Sequence, residues 1–286
     1  MYPWQRLLFW RYRPDGVLVK DSDPVVSMLP YLMTTRSQAS IYYSLQLDIT
    51  RTREFLSSQP KAALFTLFLT AMIRTAGAYP KLNRFVAGKR VYQRNSIQLS
   101  FVIKKELNLT GPESVEKVTF SPQVTLLEVA EQVKSKVVQV RAIQRESNNL
   151  VSAILAVPGP PRSAIMAFGR FLNRTGLIPA GLIESDPRFT SAVVANLGSI
   201  GAGAPFHHLY EWGTASIFIT MGKFKQVPEM GLDGTIETKT LMDVAFTFDE
   251  RIADGYYFAR ALEHFQNLVQ NPAQLLKAPQ EVKEDE

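Results

Sequence analysis

The hydrophobic pattern divides the chain into short strands and amphipathic helices. Alternating apolar and polar positions, together with runs rich in β-branched and aromatic residues, predict strands. The predicted strands are residues 41–50, 97–103, 115–120, 191–196, 214–221 and 238–248, and the predicted helices are 61–76, 125–144, 163–174 and 255–270. Since these elements intermix without strict alternation, the pattern favours a two-layer α/β domain with a mixed sheet over a doubly wound sheet.

Two local signals refine the element boundaries. Thr125 with Glu128 three residues later forms the pattern of a capping box, which predicts a helix start. The proline-rich stretch 157–161 interrupts the pattern, and we interpret it as a bend within one domain because related sequence features continue on both sides of it.

Length and composition are those of a globular protein. The chain has 286 residues, of which 46% are hydrophobic and 20% charged, and it fits one large domain or two small ones. It contains no cysteine, which excludes disulfides, thiolate nucleophiles and cysteine metal ligands. This composition suits a cytoplasmic location. The apolar run 64–73 is far shorter than the ~20 residues of a membrane span.

The charge balance narrows the class of partner only slightly. The net charge of +6 favours phosphate-bearing ligands, nucleic acid or an anionic membrane surface. No nucleic-acid-binding motif accompanies the basic residues, so we expect no nucleic-acid partner. The three histidines lack acidic residues at ligand spacing, and we expect no metal site.

The stretch Phe248-Asp249-Glu250-Arg251-Ile252-Ala253-Asp254-Gly255 carries a family resemblance. It resembles the Asp-His-Arg-x-x-Asp-Gly signature of the catalytic domain of dihydrolipoyl acyltransferases. These are the acyl-transferring components of 2-oxoacid dehydrogenase complexes and relatives of chloramphenicol acetyltransferase. The position of the signature histidine is occupied here by Glu250.

The resemblance extends over residues 29–272. Three further segments carry it: residues 29–50, the Pro-x-Leu-Asn-like segment 80–85, and 195–201, which is similar to a Ser-Asn-Leu-Gly turn. It implies an N-terminal arm (1–28), an acyltransferase-like catalytic domain (29–272) and a C-terminal tail (273–286). The implied fold is the α/β (α+β) chloramphenicol acetyltransferase-like two-layer sandwich with a mixed sheet.

The resemblance also implies a site, with two departures. In the family, the histidine is the general base, and a hydroxyl of the Ser-Asn-Leu-Gly turn stabilises the tetrahedral oxyanion. Those positions hold Glu250 and Ala195 here. With Tyr210, the turn residues Ala195, Asn196 and Gly198 are the candidate substrate-binding residues.

The two acidic candidates have alternative roles. Glu250 is either a relocated base or a solvated or ion-paired replacement, and at a usual pKa near ~4.3 a glutamate is a weak base for a thiol. Asp254 matches an acid that makes a structural ion pair with an arginine in chloramphenicol acetyltransferase-like enzymes. A fold-keeping role is therefore favoured for Asp254 over direct catalysis.

His207 and His208 are the other catalytic candidates. They follow the Ala195 turn, and the resemblance places their loop near the acyl site and a threefold subunit interface. One of them would restore the missing base; the alternative is a polar loop in a subunit contact. Because adjacent side chains of an extended segment point to opposite faces, we expect at most one to enter the pocket.

Two functions from different classes follow from the resemblance. The first is a stand-alone acyltransferase that uses a coenzyme A thioester as co-substrate. We expect no lipoyl attachment in this chain and no room for lipoyl domains, so the acceptor would differ from lipoamide. The second is an inactive scaffold or acyl-coenzyme A sensor. For both we expect a homotrimer with sites between neighbouring subunits.

Two basic-aromatic segments, 4–13 and 165–174, allow two placements. Each has the composition of a segment that lies on a membrane surface, with arginines on lipid phosphates. Each equally fits a contact with a neighbouring subunit, which we favour. Peripheral membrane contact is thus left open by the sequence.

Overall fold

The computed structural model describes residues 13–20, 24–104, 113–142, 154–230 and 234–283. The strands in these ranges are β1 (Gly16–Leu18), β2 (Ser40–Asp48), β3 (Arg84–Ala87), β4 (Arg90–Arg94), β5 (Ile97–Lys104), β6 (Glu113–Phe120), β7 (Ala192–Asn196), β8 (Ile217–Met230) and β9 (Ile236–Asp249). The helices are α1 (Pro24–Leu32), α2 (Thr50–Ser57), α3 (Leu64–Ala78), α4 (Leu126–Ala142), α5 (Gly159–Thr175), α6 (Ala180–Ser185) and α7 (Gly255–Gln270). Short 3₁₀ turns cover Pro80–Asn83, Leu197–Ile200 and Pro272–Leu276.

A six-stranded mixed sheet organises the molecule. Its strand order is β2-β9-β8-β7-β5-β6, and β7 runs parallel to both β5 and β8 while the other pairs are antiparallel. A second sheet of three strands has the order β1-β4-β3. The predicted two-layer α/β fold with a mixed sheet is confirmed.

Helices α3, α4 and α7 cover one face of the large sheet, where the main core lies. Four phenylalanine side chains in this core are almost fully buried, and their rings pack against one another at centroid distances of 4.5–5.7 Å. They are Phe246 and Phe248 of β9 and Phe258 and Phe265 of α7. Burial of each such side chain contributes about 1.5–3 kcal/mol. This aromatic cluster fixes α7 against β9, and thereby fixes the turn that joins them.

Alternate residues of β7 and β8 face away from the main core. Val193 and Phe218 form a smaller buried cluster with Leu209 and Ala215, whereas Val194 and Ile219 belong to the main core. The segment 202–215 therefore runs over this outer face of the sheet. The candidate histidines lie on this segment.

Most predicted helices and strands are present, but several begin or end at residues other than the predicted ones. The capping box is confirmed: the Glu128 carboxylate accepts from the backbone N–H of Thr125 at 2.7 Å and from its hydroxyl at 2.8 Å. The 157–161 stretch begins helix α5, because Pro160 and Pro161 occupy its first turn, where a missing N–H costs nothing.

The predicted strands 214–221 and 238–248 are parts of a longer hairpin. Strands β8 and β9 continue together to Met230 and Ile236. Residues 223–230 are mostly exposed and include Pro228, so the segment lacks the buried alternation from which strands are predicted.

Candidate functional site

The Ala195 turn is built at the end of β7. Asn196 accepts from the backbone N–H of Ser199 at 3.2 Å, and the Ser199 hydroxyl donates to the Asn196 carbonyl at 2.7 Å. A Cβ on Gly198 would lie 2.4 Å from the Gly222 carbonyl oxygen of β8. Asn196 and Gly198 therefore hold the turn against the neighbouring strand, and only glycine fits at position 198 without displacement.

The segment 202–215, which we call the histidine loop, places an imidazole on the outer face of β8. The Thr220 hydroxyl donates to the Pro205 carbonyl at 2.5 Å and fixes the start of the loop. The His207 ring stacks on Phe218 at 3.9 Å with an interplanar angle of 10°, and Tyr210 meets it edge-on at 5.5 Å. His207 is thus held in one orientation by aromatic contacts.

The hydrogen bond of His207 fixes its neutral tautomer. Its Nδ1 lies 2.7 Å from the backbone carbonyl of His208. A carbonyl oxygen only accepts, so Nδ1 carries the proton and donates it. The lone pair of the neutral ring then lies on Nε2, which is the arrangement that a general base requires.

The expectation that the two histidines point to opposite faces is wrong. The rings of His207 and His208 stack at 4.5 Å, and both lie within 6 Å of the Tyr210 ring. Because the loop is irregular at this point and does not form a strand, strand alternation does not apply to it. His208 is exposed, whereas His207 is half-buried.

Ala195 belongs to the same surface as the histidine loop. Ala195 and Tyr210 both pack against the small cluster that includes Phe218. The structure therefore brings together four candidates in one chain: Ala195, His207, His208 and Tyr210. The methyl group of Ala195 has no hydrogen-bond donor to offer an oxyanion.

The segment Asp249–Gly255, which we call the signature turn, is held by a buried ion pair that the sequence did not indicate. Asp249 accepts from Nε and Nη2 of Arg251 at 2.7 and 2.6 Å, and both side chains are almost fully buried. Arg251 also donates to the Met33 carbonyl at 2.9 Å. The Glu250 backbone N–H donates to the Ala39 carbonyl at 2.8 Å, while its side chain is half-buried.

Asp254 has a structural contact of a different kind from the expected one. It is the N-cap of α7, and its Oδ1 accepts from the backbone N–H of Tyr257 at 2.8 Å. An acidic cap at this position satisfies an N–H of the first turn and interacts favourably with the helix dipole. Asp254 therefore supports the start of α7, and the arginine-paired acid of this turn is Asp249.

The signature turn lies apart from the Ala195 turn within one chain. Strand register aligns Ala195 with Thr220 of β8 and with Ala245 of β9. Asp249 lies four residues beyond Ala245, or about 13 Å along the strand, and two strand spacings of about 5 Å separate β9 from β7. His207, in contrast, stacks on Phe218, which pairs with Thr247 two residues before Asp249, so the start of the signature turn lies nearer to the His207 cluster than to Ala195.

One buried arginine connects the two regions. Arg36 donates to the carbonyls of Glu211 at 3.3 Å and Val86 at 2.9 Å. Its burial lowers its pKa to about 10, and the nearby carboxylate of Asp249 partly offsets this shift. Arg36 therefore remains charged at neutral pH, between an acid of the histidine loop and an acid of the signature turn.

Other features of the described residues do not add to this site. No group of histidines and acids in the described ranges has a metal-binding arrangement. A cavity of about 510 Å³ between β6 and α4, lined by residues such as Lys117, Glu131 and Lys136, contains none of the candidates. No helix in the described part of the chain is long and apolar enough to span a membrane.

Part of the chain matches the model of a known protein family. Residues 182–277 match the family "2-oxoacid dehydrogenases acyltransferase (catalytic domain)". This range contains the Ala195 turn, the histidine loop and the signature turn. The resemblance to that catalytic domain is thereby confirmed over this range.

Solved structures share the fold along most of the chain. A probable dihydrolipoamide acetyltransferase from Listeria monocytogenes is 14% identical with a TM-score of 0.56, covering 88% of this chain and 94% of that one. The truncated catalytic core of a 2-oxoacid dehydrogenase multienzyme complex from Thermoplasma acidophilum is 12% identical, with a TM-score of 0.55 and coverages of 89% and 98%. A chloramphenicol acetyltransferase is 12% identical, with a TM-score of 0.54 and coverages of 92% and 100%. No curated protein matches the chain.

Proposed function

We propose that the protein transfers an acyl group from a coenzyme A thioester to a thiol, amine or other nucleophilic acceptor, with His207 as the general base. The observation that carries this proposal is the bond from His207 Nδ1 to the His208 carbonyl. It leaves Nε2 as the proton acceptor of a ring whose orientation Phe218 and Tyr210 fix. The family match supports the reaction class.

The proposed chemistry needs a donor for the tetrahedral oxyanion. In this proposal His207 Nε2 removes the proton of the attacking nucleophile as it adds to the thioester carbonyl, whose oxygen becomes negatively charged. The tetrahedral intermediate then collapses with cleavage of its C–S bond, and the departing coenzyme A thiolate takes the proton from His207. Ala195 provides no donor, whereas Tyr210 carries a hydroxyl next to His207. We assign the oxyanion contact to Tyr210. In this proposal the thioester lies against the Asn196–Gly198 turn.

Glu250 and Asp254 enter the proposed site from a second copy of the chain. Strand register separates them from Ala195 of their own chain, and similar folds include the core of a multienzyme complex. A homotrimer would bring the signature turn of one copy to the histidine loop of the next. Light scattering at micromolar concentration tests this assembly, and a monomer would contradict it.

A specific observation supports the alternative of an inactive scaffold or acyl-coenzyme A sensor. Both positions that carry the family's base and oxyanion hydroxyl lack those groups, since they hold Glu250 and Ala195. A protein of this kind would keep the pocket without the chemistry. Turnover and ligand binding, measured separately, distinguish the two functions.

The deciding experiment measures thioester cleavage by the purified protein with a panel of acyl-coenzyme A donors and free thiol and amine acceptors. We expect His207→Ala to lower kcat by about 10²–10⁴-fold. His208→Ala and Glu250→Gln should retain most of the turnover if His207 alone is the base. Thermal unfolding of each variant controls for loss of the fold.

Each result selects one function. Turnover that His207→Ala abolishes supports the enzyme, and turnover that depends on Glu250 moves the base to the signature turn. Coenzyme A binding without turnover of any donor supports the sensor. Absence of both turnover and binding leaves a structural assembly.

A further inference from the structure

Helix α5 is attached to the body along one narrow stripe. Gly169 lies against the Trp212 ring, to which a Cβ at that position would approach within 2.9 Å. The buried Asn173 accepts from Arg13 Nη1 with its backbone carbonyl at 2.7 Å and with its side chain at 3.0 Å. The rest of the helix surface is largely exposed.

The outward side of α5 carries aromatic residues. Phe168 is 60% exposed and Phe171 is 55% exposed, and their rings stack at 6.4 Å. Ile165 extends the same stripe, because residues three apart lie on one side of a helix. Two adjacent exposed phenylalanines are unusual on a surface that only meets water, since large exposed apolar patches mark interaction sites.

Basic residues adjoin this aromatic stripe. Arg170 and Arg174 are exposed and lie four residues apart on the next stripe of α5. Arg174 also lines a cavity of about 310 Å³ together with Lys89, Arg90 and Tyr31. The Lys89 ammonium lies 4.8 Å from the centre of the Tyr31 ring.

Helix α1 continues the surface on the other side of this cavity. Its sequence has no charged residue. Four of its large apolar side chains are each more than half exposed: Val25, Met28, Tyr31 and Leu32. The surface thus has two helices with exposed apolar side chains on either side of a basic cavity. We call it the α1–α5 surface.

We propose that the α1–α5 surface binds the headgroup region of an anionic phospholipid membrane. Phe168, Phe171 and the apolar residues of α1 enter the acyl boundary, and lipid phosphates bind in the basic cavity. An amphipathic helix with phenylalanine on one side and arginine on the other is the type of element that lies in the plane of a membrane interface.

Charge favours a lipid over a second copy of this surface. The segments Pro24–Leu32, 88–90 and Gly159–Thr175 contain five basic residues, namely Lys89, Arg90, Arg162, Arg170 and Arg174, and no acidic residue. Docking of two copies face to face would bring like charges together without compensation. An anionic lipid surface instead attracts every one of these cations.

The sequence that precedes Arg13 has a matching composition. Residues 1–12 precede Arg13, which is held at the C-terminal turn of α5 through Asn173. These twelve residues include Trp4, Phe9 and Trp10 and two arginines, and they contain no acid. Tryptophan is a residue of the membrane interface.

Flotation of the full chain with lipid vesicles tests the proposal. We expect binding to phosphatidylcholine vesicles that contain phosphatidylglycerol, and little binding to phosphatidylcholine alone. Raised salt should weaken the binding, because exposed charges are screened. The double variant F168S/F171S should bind at least about tenfold more weakly, and R170Q/R174Q about fivefold more weakly for each arginine removed.

A matched control is available on helix α4. Lys134→Gln with Val138→Ser removes one exposed cation and one exposed apolar side chain elsewhere, and vesicle binding should not change. Thermal unfolding checks that all variants fold. The proposal is overturned if the wild type does not float with anionic vesicles at low salt. It is also overturned if both α5 variants bind like wild type, or if F168S/F171S alters only the oligomeric state in light scattering.

Discussion

The signature turn and the histidine loop contain the two halves of the candidate site, and they differ in what the fold requires of them. In the signature turn, the fold uses Asp249, Arg251 and Asp254 through a buried ion pair and a helix cap, while Glu250 contributes its backbone N–H. In the histidine loop, the ring of His207 is itself packed and hydrogen-bonded. A residue can be substituted without loss of structure where the fold does not depend on its side chain.

The largest expected effect tests the buried ion pair. Asp249→Asn keeps the size of the side chain but leaves Arg251, which is 3% exposed, without its counter-charge. Breaking such a pair typically costs about 3–5 kcal/mol. Chemical denaturation monitored by circular dichroism measures this change in the free energy of unfolding.

The matched control for that variant lies one residue away. Glu250→Gln changes a half-buried side chain and should alter the free energy of unfolding by no more than about 0.5 kcal/mol. Similar losses in the two variants would contradict the view that the fold depends on Asp249 and not on the Glu250 carboxylate.

A smaller effect is expected in the turn beside the histidine loop. Gly198→Ala places a Cβ 2.4 Å from the Gly222 carbonyl oxygen, so the turn Leu197–Ile200 and β8 must move apart locally. We expect a loss of about 1–3 kcal/mol, as in other over-packed sites. Thermal and chemical unfolding measure it.

Gly203 supplies the comparison for Gly198. A Cβ at Gly203 meets no atom within 4 Å, so Gly203→Ala should be nearly neutral. If the two alanine variants are equally stable, close packing is not the reason for glycine at position 198. Substrate binding would then remain as the role of this turn.

Local signals in the sequence predicted the regular elements well. The prediction of α7 from residue 255 to 270 is confirmed at both ends, because an acidic cap precedes its apolar period and Pro272 follows it. The extension of the β8–β9 hairpin and the short strands β1, β3 and β4 lacked such signals. Strand β1 pairs with a strand that is distant in sequence, the outer half of the hairpin is exposed, and β3 and β4 are only four and five residues long.

The site was predictable in its residue types but not in its geometry. Family resemblance indicated Glu250, Ala195 and the two histidines as the positions of interest. The tautomer of His207 and the contact of Arg251 with Met33, 218 residues away, depend on the tertiary fold. Strand alternation failed for the histidines because it is a rule for sheets, and their loop is not part of one.

The smallest expected effect concerns the attachment of the histidine loop. The Glu211 carboxylate accepts from the Ser37 hydroxyl at 2.8 Å and from the Ser37 backbone N–H at 2.9 Å. Partial burial raises the pKa of Glu211, but the bonds from Ser37 and Arg36 outweigh it, and the pKa lies below its ordinary value of 4.5.

A depressed carboxylate pKa stabilises the folded state above the unfolded pKa, and this contribution is lost as the pH falls through the folded pKa. Glu211→Gln removes that contribution. The free energies of unfolding of wild type and variant should therefore differ at neutral pH and converge at pH values below 4.5. Because Glu211 is largely exposed, solvent screening keeps the difference small, on the order of 1 kcal/mol or less. A difference independent of pH would mean that Glu211 holds the loop by packing and not by its charge.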